Sequence, residues 1–289
     1  VNPRFNREKR VPLILPVTGH PKHLVIVGGG PAGITCALTA SRRGHQVTLL
    51  EKEPVLTGKL NIACHGEHKA DLRRFRDYLL TQLRKSSVTV HTGVLADTDV
   101  VRDLKPDALV IAVGATPSRI PLPGVDGDNC IQISEFLQSP DTSLQHYIII
   151  GGGSVGCETA LDLAEKGKDV SIIEMADCLA SASNDLYRLA LSEHFARYDN
   201  LHTYLNSACQ SIDADGVNVL TNGASTHISG DKVLLSLGFR PDAKQVSSLY
   251  GIAPDTYYVG DCERVATVAE AVNNAYFIGA NVFQEQDII

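Results

Sequence analysis

The sequence contains "HLVIVGGGPAGITCA" and, 123 residues further on (151 − 28), "HYIIIGGGSVGCETA". Each glycine turn follows a run of apolar, mostly β-branched residues, which suits a strand buried on both faces of a parallel sheet. Helix-compatible stretches come next, "PAGITCALTASRR" up to Gly44 and "SVGCETALDLAEK" up to Gly167. Second apolar runs then lead to Glu51 and Glu174, each 23 residues after its first glycine (51 − 28 and 174 − 151). Strand, turn, helix, strand and terminal acid thus occur twice in the same order, which predicts two βαβ units.

Gly28, Gly30 and Gly33 fit G-x-G-x-x-G, as do Gly151, Gly153 and Gly156. The first glycine allows the tight turn, the second leaves room for a pyrophosphate against the backbone, and the third lets helix and strand approach closely. Helix starts at Pro31–Ala32 and Ser154–Val155 supply unpaired N–H groups and partial positive charge for phosphates. Glu51 and Glu174 are placed to accept hydrogen bonds from ribose hydroxyls. The expectation is two bound dinucleotides, one per unit.

The 289 residues are ample for two domains, and 44% hydrophobic with 20% charged residues is the composition of an ordinary globular protein. A formal charge of −7 argues against a nucleic-acid partner, and no apolar run approaches the roughly 20 residues of a membrane span. Seven cysteines without a short-spaced pair suggest a reduced, cytoplasmic protein with neither a dithiol nor a metal site. His65 and His68 flank Glu67, but a third convergent ligand is missing from the pattern, so no metal is expected. The opening "VNPRFNREKRVPLILP" has no helical or strand period and reads as an extended arm over residues 1–19, with something preceding it in the natural protein.

Further segments order the two sites. "DALVIAVGATPSRIPLPG" runs into Ala112, Val113 and Gly114, and "TYYVGDC" ends at Gly260 and Asp261. Glycine turn, "A-x-G" strand end, second glycine turn and late "G-D" resemble the two-dinucleotide-binding flavoprotein disulfide reductase superfamily. "VNPR" and "GKLNIA" narrow the resemblance to the C-terminal module of NADH:flavin oxidoreductases related to 2,4-dienoyl-CoA reductase and enoate reductase. That resemblance implies an α/β fold of two Rossmann-like, glutathione-reductase-like domains, the second inserted in the first. FAD would occupy residues 20–118 with 228–289, NAD(P)H residues 140–227, and 119–139 would connect them.

By the same resemblance FAD would be held by Gly28, Gly30, Pro31, Ala32, Gly33, Glu51, Lys52, Gly58, Lys59, Leu60, Ala112, Gly114, Gly260 and Asp261. Gly151, Gly153, Ser154, Val155, Glu158, Glu174 and Gly238 would hold NADH. NADH is favoured over NADPH, because Glu174 repels a 2′-phosphate and "MADCLA" after it has no arginine. Glu158 either lies near the nicotinamide, as the resemblance implies, or is a surface charge favoured by its helix dipole. Lys59 either reaches the flavin, pairs with Glu158, or is a solvated loop lysine. Hydride would pass from NADH to FAD, and electrons onward to a [4Fe-4S] cluster and FMN held by an upstream barrel domain or subunit. A homo-oligomer is compatible with this reading. Two alternatives stay open: a non-redox nucleotide scaffold, as in the related trimethylamine dehydrogenase, where the equivalent domains hold ADP, and a stand-alone NADH oxidase or disulfide reductase. The absent cysteine pair weighs against the last; Cys64 is left as a minor candidate thiol.

Overall fold

The computed structural model describes residues 1–66 and 69–283. The chain divides into two compact units, one of Val1–Thr116 with the described residues from Phe239 onward, the other of Pro117–Gly238. The second unit is inserted in the first.

The outgoing half of the first unit comprises β1 (His23–Val27), α1 (Pro31–Arg42), β2 (Gln46–Glu51), α2 (Leu60–Ala63), α3 (Ala70–Arg84), β3 (Thr89–Thr92), α4 (Thr98–Asp103), β4 (Ala108–Ile111) and β5 (Ala115–Pro117). The second unit follows with β6 (Cys130–Gln132), α5 (Ile133–Gln138), β7 (His146–Ile150), α6 (Ser154–Glu165), β8 (Asp169–Ile173), α7 (Asp185–Phe195), β9 (Leu201–Tyr204), β10 (Ser207–Asp213), β11 (Gly216–Thr221), β12 (Ala224–Ser229) and β13 (Lys232–Leu235). The chain returns through β14 (Phe239–Pro241), α8 (Ala243–Ser248), β15 (Asp255–Tyr258) and α9 (Val268–Asn281).

The first unit's sheet is parallel, in the order β15-β4-β1-β2-β3. Leu24 and Ile26 face one apolar cluster, with α1, α3 and α9, while Val25 and Val27 face another, with α4 and α8. Both faces are therefore covered, which is why β1 is a continuous apolar run. Each such side chain contributes about 1.5–3 kcal/mol by leaving water. α9 crosses α1 closely at Gly279, where an added Cβ would lie 2.7 Å from the Cys36 carbonyl oxygen. A capping box between Thr267 and Glu270 starts α9.

The second unit repeats the plan as β6-β13-β7-β8-β9, again parallel. Tyr147 and Ile149 pack with α5, α6 and α7; Ile148 and Ile150 pack against the antiparallel sheet β10-β11-β12. One face thus carries helices and the other a second sheet.

Two expectations are corrected. Residues 119–139 and 228–238 belong to the inserted unit, because β6 and β13 are strands of its sheet, β13 lying between β6 and β7. The boundaries fall at Thr116/Pro117 and Gly238/Phe239, not at 140 and 227. The opening arm packs on the first unit. Val11 and Leu15 are buried, Arg43 Nε donates to the Pro16 carbonyl at 2.7 Å, and Thr18 N donates to the Arg43 carbonyl at 2.8 Å.

Candidate functional site

Each unit builds a cradle at the carboxyl ends of two adjacent strands, β1 and β2 in the first and β7 and β8 in the inserted one. In the first, Gly28 has φ +111°, and a Cβ there would lie 2.3 Å from the Ala112 carbonyl oxygen. A Cβ on Gly33 would lie 1.9 Å from the Gly28 carbonyl oxygen, so α1 packs where only glycine fits. Around the Cβ position of Gly30 nothing lies within 4 Å. Pro31 is the first residue of α1, Ala32 follows in the first turn, and Gly30 is its N-cap without a side-chain cap or first-turn acid. The open N–H groups there suit an anion.

Glu51 is buried and accepts from Gly29 N (2.7 Å) and Glu53 N (2.9 Å), which fixes its carboxylate at the rim. The loop after β2 folds back over the turn. Thr57 N donates to the Gly29 carbonyl at 2.7 Å, and a Cβ on Gly58 would come within 3.6 Å of Gly30 Cα. Lys52 is exposed, 4.0 Å from the Glu53 carboxylate, and the Leu60 side chain is buried in the core, leaving only backbone for a ligand. Lys59 Nζ makes a 2.6 Å ion pair with Asp261 and stands 4.2 Å from the centre of the Phe239 ring. Gly114 and Gly260 both have left-handed φ, +74° and +72°, and a Gly260 Cβ would meet Ala32 Cβ at 2.9 Å. The unit thus gathers Lys59 and Asp261 with the end of β15.

The inserted unit matches this position by position. Gly151 has φ +105° against the Ser236 carbonyl, a Gly156 Cβ would lie 2.3 Å from the Gly151 carbonyl oxygen, and the Cβ position of Gly153 is open. Gly153 caps α6 without a side-chain cap or first-turn acid, and Ser154 Oγ lies 2.9 Å from Ser183 Oγ. Glu174 accepts from Gly152 N (2.6 Å) and Ala176 N (2.8 Å), and Ala180 N donates to the Gly152 carbonyl at 2.8 Å. Val155 is largely exposed in the first turn of α6, and Gly238 has φ +75°, as Gly114 does.

Glu158 sits in the second turn of α6, where its Oε1 accepts from Tyr187 of α7 at 3.0 Å. Burial first, then the Glu158 charge, push the Tyr187 phenol well above its ordinary value, so it donates at every physiological pH. Neither Tyr187 nor the loop residues Thr57 and Ala180 stand out in the sequence. Nor does Arg188, which α7 brings to within 3.5 Å of Cys178 in the segment after Glu174; it also binds Asp185.

All seven cysteines are free. Burial, reinforced by Glu158 and Glu174, pushes the Cys157 thiol up to about 12, and burial alone does the same for Cys36. Cys64 is raised too, mainly by burial, which is the wrong direction for a reactive thiol. Glu67 and His68 lie outside the described residues. Among the described residues no His, Cys, Asp or Glu group is arranged to hold a metal, and no helix is long and apolar enough to cross a membrane.

Residues 22–275 match the family described as pyridine nucleotide-disulphide oxidoreductase. The chain belongs to this family. It is therefore an FAD- and NAD(P)-binding oxidoreductase module of two Rossmann-like units. An NADH oxidase of Thermoanaerobacter brockii is 33% identical over 261 residues, 88% of this chain and 40% of the relative. A bilirubin reductase of Mediterraneibacter gnavus is 33% identical over 262 residues, 90% of this chain and 41% of the relative. Among solved structures, a 2-naphthoyl-CoA reductase in complex with 2-naphthoyl-CoA matches with TM-score 0.89 at 28% identity, covering 98% of this chain and 43% of that one. The chain spans about two fifths of the length of the curated relatives named here.

Proposed function

We propose that the chain is the NADH-oxidising module of an enoate- or dienoyl-CoA-reductase-type enzyme, with FAD in the first unit and NADH in the inserted one. The observation that carries this reading is the twofold cradle: two uncapped helix starts, each beside a glycine whose Cβ direction is open and a carboxylate held at the rim. The open Cβ directions at Gly30 and Gly153, each beside an uncapped helix start, leave room for a diphosphate. FAD, when bound, supplies acceptance of a hydride from NADH.

The chain's residues position and bind. Glu51 and Glu174 take ribose hydroxyls, while Gly114, Gly260 and Asp261 line the far side of the first site. Lys59, paired with Asp261, keeps a positive charge beside that aspartate and leaves the pair neutral overall. Glu174, whose carboxylate is fixed by two amides, disfavours a 2′-phosphate and so selects NADH. Arg188 does not reverse this, since Asp185 engages its guanidinium. The relatives' greater length supports an upstream FMN and [4Fe-4S] partner for onward electrons.

The test is direct. Purified chain should carry or take up FAD, turn yellow, and be bleached by NADH without air, with re-oxidation by a dye acceptor. A colourless product that refuses added FAD and leaves NADH unoxidised overturns the proposal, and a flavin-free protein that binds ADP alone favours the scaffold reading.

A further inference from the structure

Glu158 puts a negative charge one turn from a helix start that is built to receive another. It lies four residues after Ser154, the first residue of α6, so the two share a face of the helix. Side chains on a helix lean toward its amino end, which directs the Glu158 carboxylate back over the first turn. Left free to settle there, it would counter the partial positive charge of the uncapped N–H groups after Gly153 and could take up the Ser154 hydroxyl. A diphosphate arriving at that start needs both. The first unit has no such conflict, since the matching residues, 123 positions earlier (154 − 31 and 158 − 35), are Pro31 and Thr35. Thr35 carries no charge, and its hydroxyl donates to the Pro31 carbonyl at 2.7 Å.

Tyr187 of α7 stands between the two side chains in the inserted unit. Its hydroxyl donates to Glu158 Oε1 at 3.0 Å, and the Ser154 hydroxyl is within hydrogen-bonding reach of the same phenol oxygen. Ser154 Oγ in turn lies 2.9 Å from Ser183 Oγ. The tyrosine is well anchored. Its ring packs against the apolar cluster that contains Tyr147, Ile149 and Leu163, and its backbone N–H donates to the Asn184 side chain that caps α7.

We propose that Tyr187 is a positioning residue that holds the Glu158 carboxylate off the first turn of α6 and so keeps this helix start open to the diphosphate of the nucleotide. The inference rests on the NADH reading of the inserted unit.

The chain saturated with FAD and titrated calorimetrically with ADP tests it, because ADP has the diphosphate and lacks the nicotinamide. Tyr187→Phe keeps the ring in its cluster and removes only the hydroxyl. It should weaken ADP roughly threefold to tenfold at low salt, and the deficit should shrink at about 0.5 M salt, where exposed charges are screened. Adding Glu158→Gln to Tyr187→Phe should restore ADP binding to wild-type affinity or better. Loss of packing alone would respond neither to salt nor to the second substitution. Wild-type ADP affinity in Tyr187→Phe, a deficit unchanged by salt, or a double variant as weak as Tyr187→Phe overturns the positioning role. A wild-type chain that binds neither ADP nor NADH overturns instead the nucleotide reading of the whole unit, and the inference with it.

Discussion

Replacing Gly30 by alanine separates what the first glycine turn does for the fold from what it does for a ligand. Its backbone, φ −75° and ψ −178°, is open to any residue, and an added Cβ meets nothing within 4 Å. The fold should lose only the difference between glycine and alanine at an N-cap, about 1 kcal/mol, a fall in Tm of no more than about 4 °C. The new methyl would nevertheless fill the space assigned to the diphosphate. Overpacking of that kind costs about 1–3 kcal/mol, or roughly fivefold to 150-fold in FAD affinity. Gly33→Ala is the contrasting case, because its Cβ would fall 1.9 Å from the Gly28 carbonyl oxygen and α1 must move. That variant should lose about 3 kcal/mol of stability or more, and FAD only as a consequence. Thermal melts and equilibrium flavin titration read the two effects separately. A Gly30→Ala chain that binds FAD as tightly as the wild type would show that the diphosphate does not lie against this turn.

Three further outcomes are expected. Glu51→Ala removes the acceptor for Gly29 N and Glu53 N in a buried setting and should destabilise the first unit by about 3–6 kcal/mol in denaturant melts, taking each charged bond as about 1.5–3 kcal/mol; a loss below 1 kcal/mol contradicts the bonding shown. Cys36 and Cys157, both pushed up to about 12 by burial, are protonated near neutral pH and should resist iodoacetamide in the folded chain until denaturant is added; rapid native labelling seen by mass spectrometry counts against their burial. Asp231 is held below the usual carboxylate range, chiefly by the His146 and then the Gln145 backbone N–H groups. Its contribution is therefore present above the unfolded carboxylate value and is lost as pH falls through the folded one. Asp231→Asn should be less stable than wild type at pH 7 and indistinguishable near pH 2; a gap that persists in acid refutes the linkage.

The legible parts of the sequence are those where local chemistry leaves one solution. β1 and β7 show as unbroken apolar runs because both their faces are covered, and the acids at Glu51 and Glu174 show because they end the next strands. β6 and β13 were not legible: "CIQ" and "KVLL" are three and four residues long with no pattern apart from the sheet they join. That is why the domain boundaries read from sequence fell inside the inserted unit. The folded-back loops were hidden for another reason. Thr57 and Ala180 adopt left-handed φ, +75° and +49°, without being glycine, so no residue preference marks them. Their backbone N–H groups, bonded to the Gly29 and Gly152 carbonyls, hold them there. Tyr187 and Arg188 reach their partners only through the placement of α7, a relation that spacing along the chain does not encode.

The two units also differ in a way that explains how one can interrupt the other. In the first, the edge strand beside β4 is β15, made after the excursion; in the second, the edge strand beside β13 is β6, made before β7. A parallel edge strand needs one hydrogen-bonding neighbour and is indifferent to which end of the chain supplies it. The cradle itself comes from a contiguous stretch, strand, turn, helix and strand, that closes before the chain leaves β4. An insertion at Thr116/Pro117 therefore interrupts no element of the cradle, and the returning chain adds an edge strand, the acid beyond it and the helices α8 and α9 that cover the sheet. Asp261, beyond that edge strand, is then the part of the first candidate site assembled across the greatest distance in sequence from the cradle. It is also the part for which the motif at the glycine turn gives no signal.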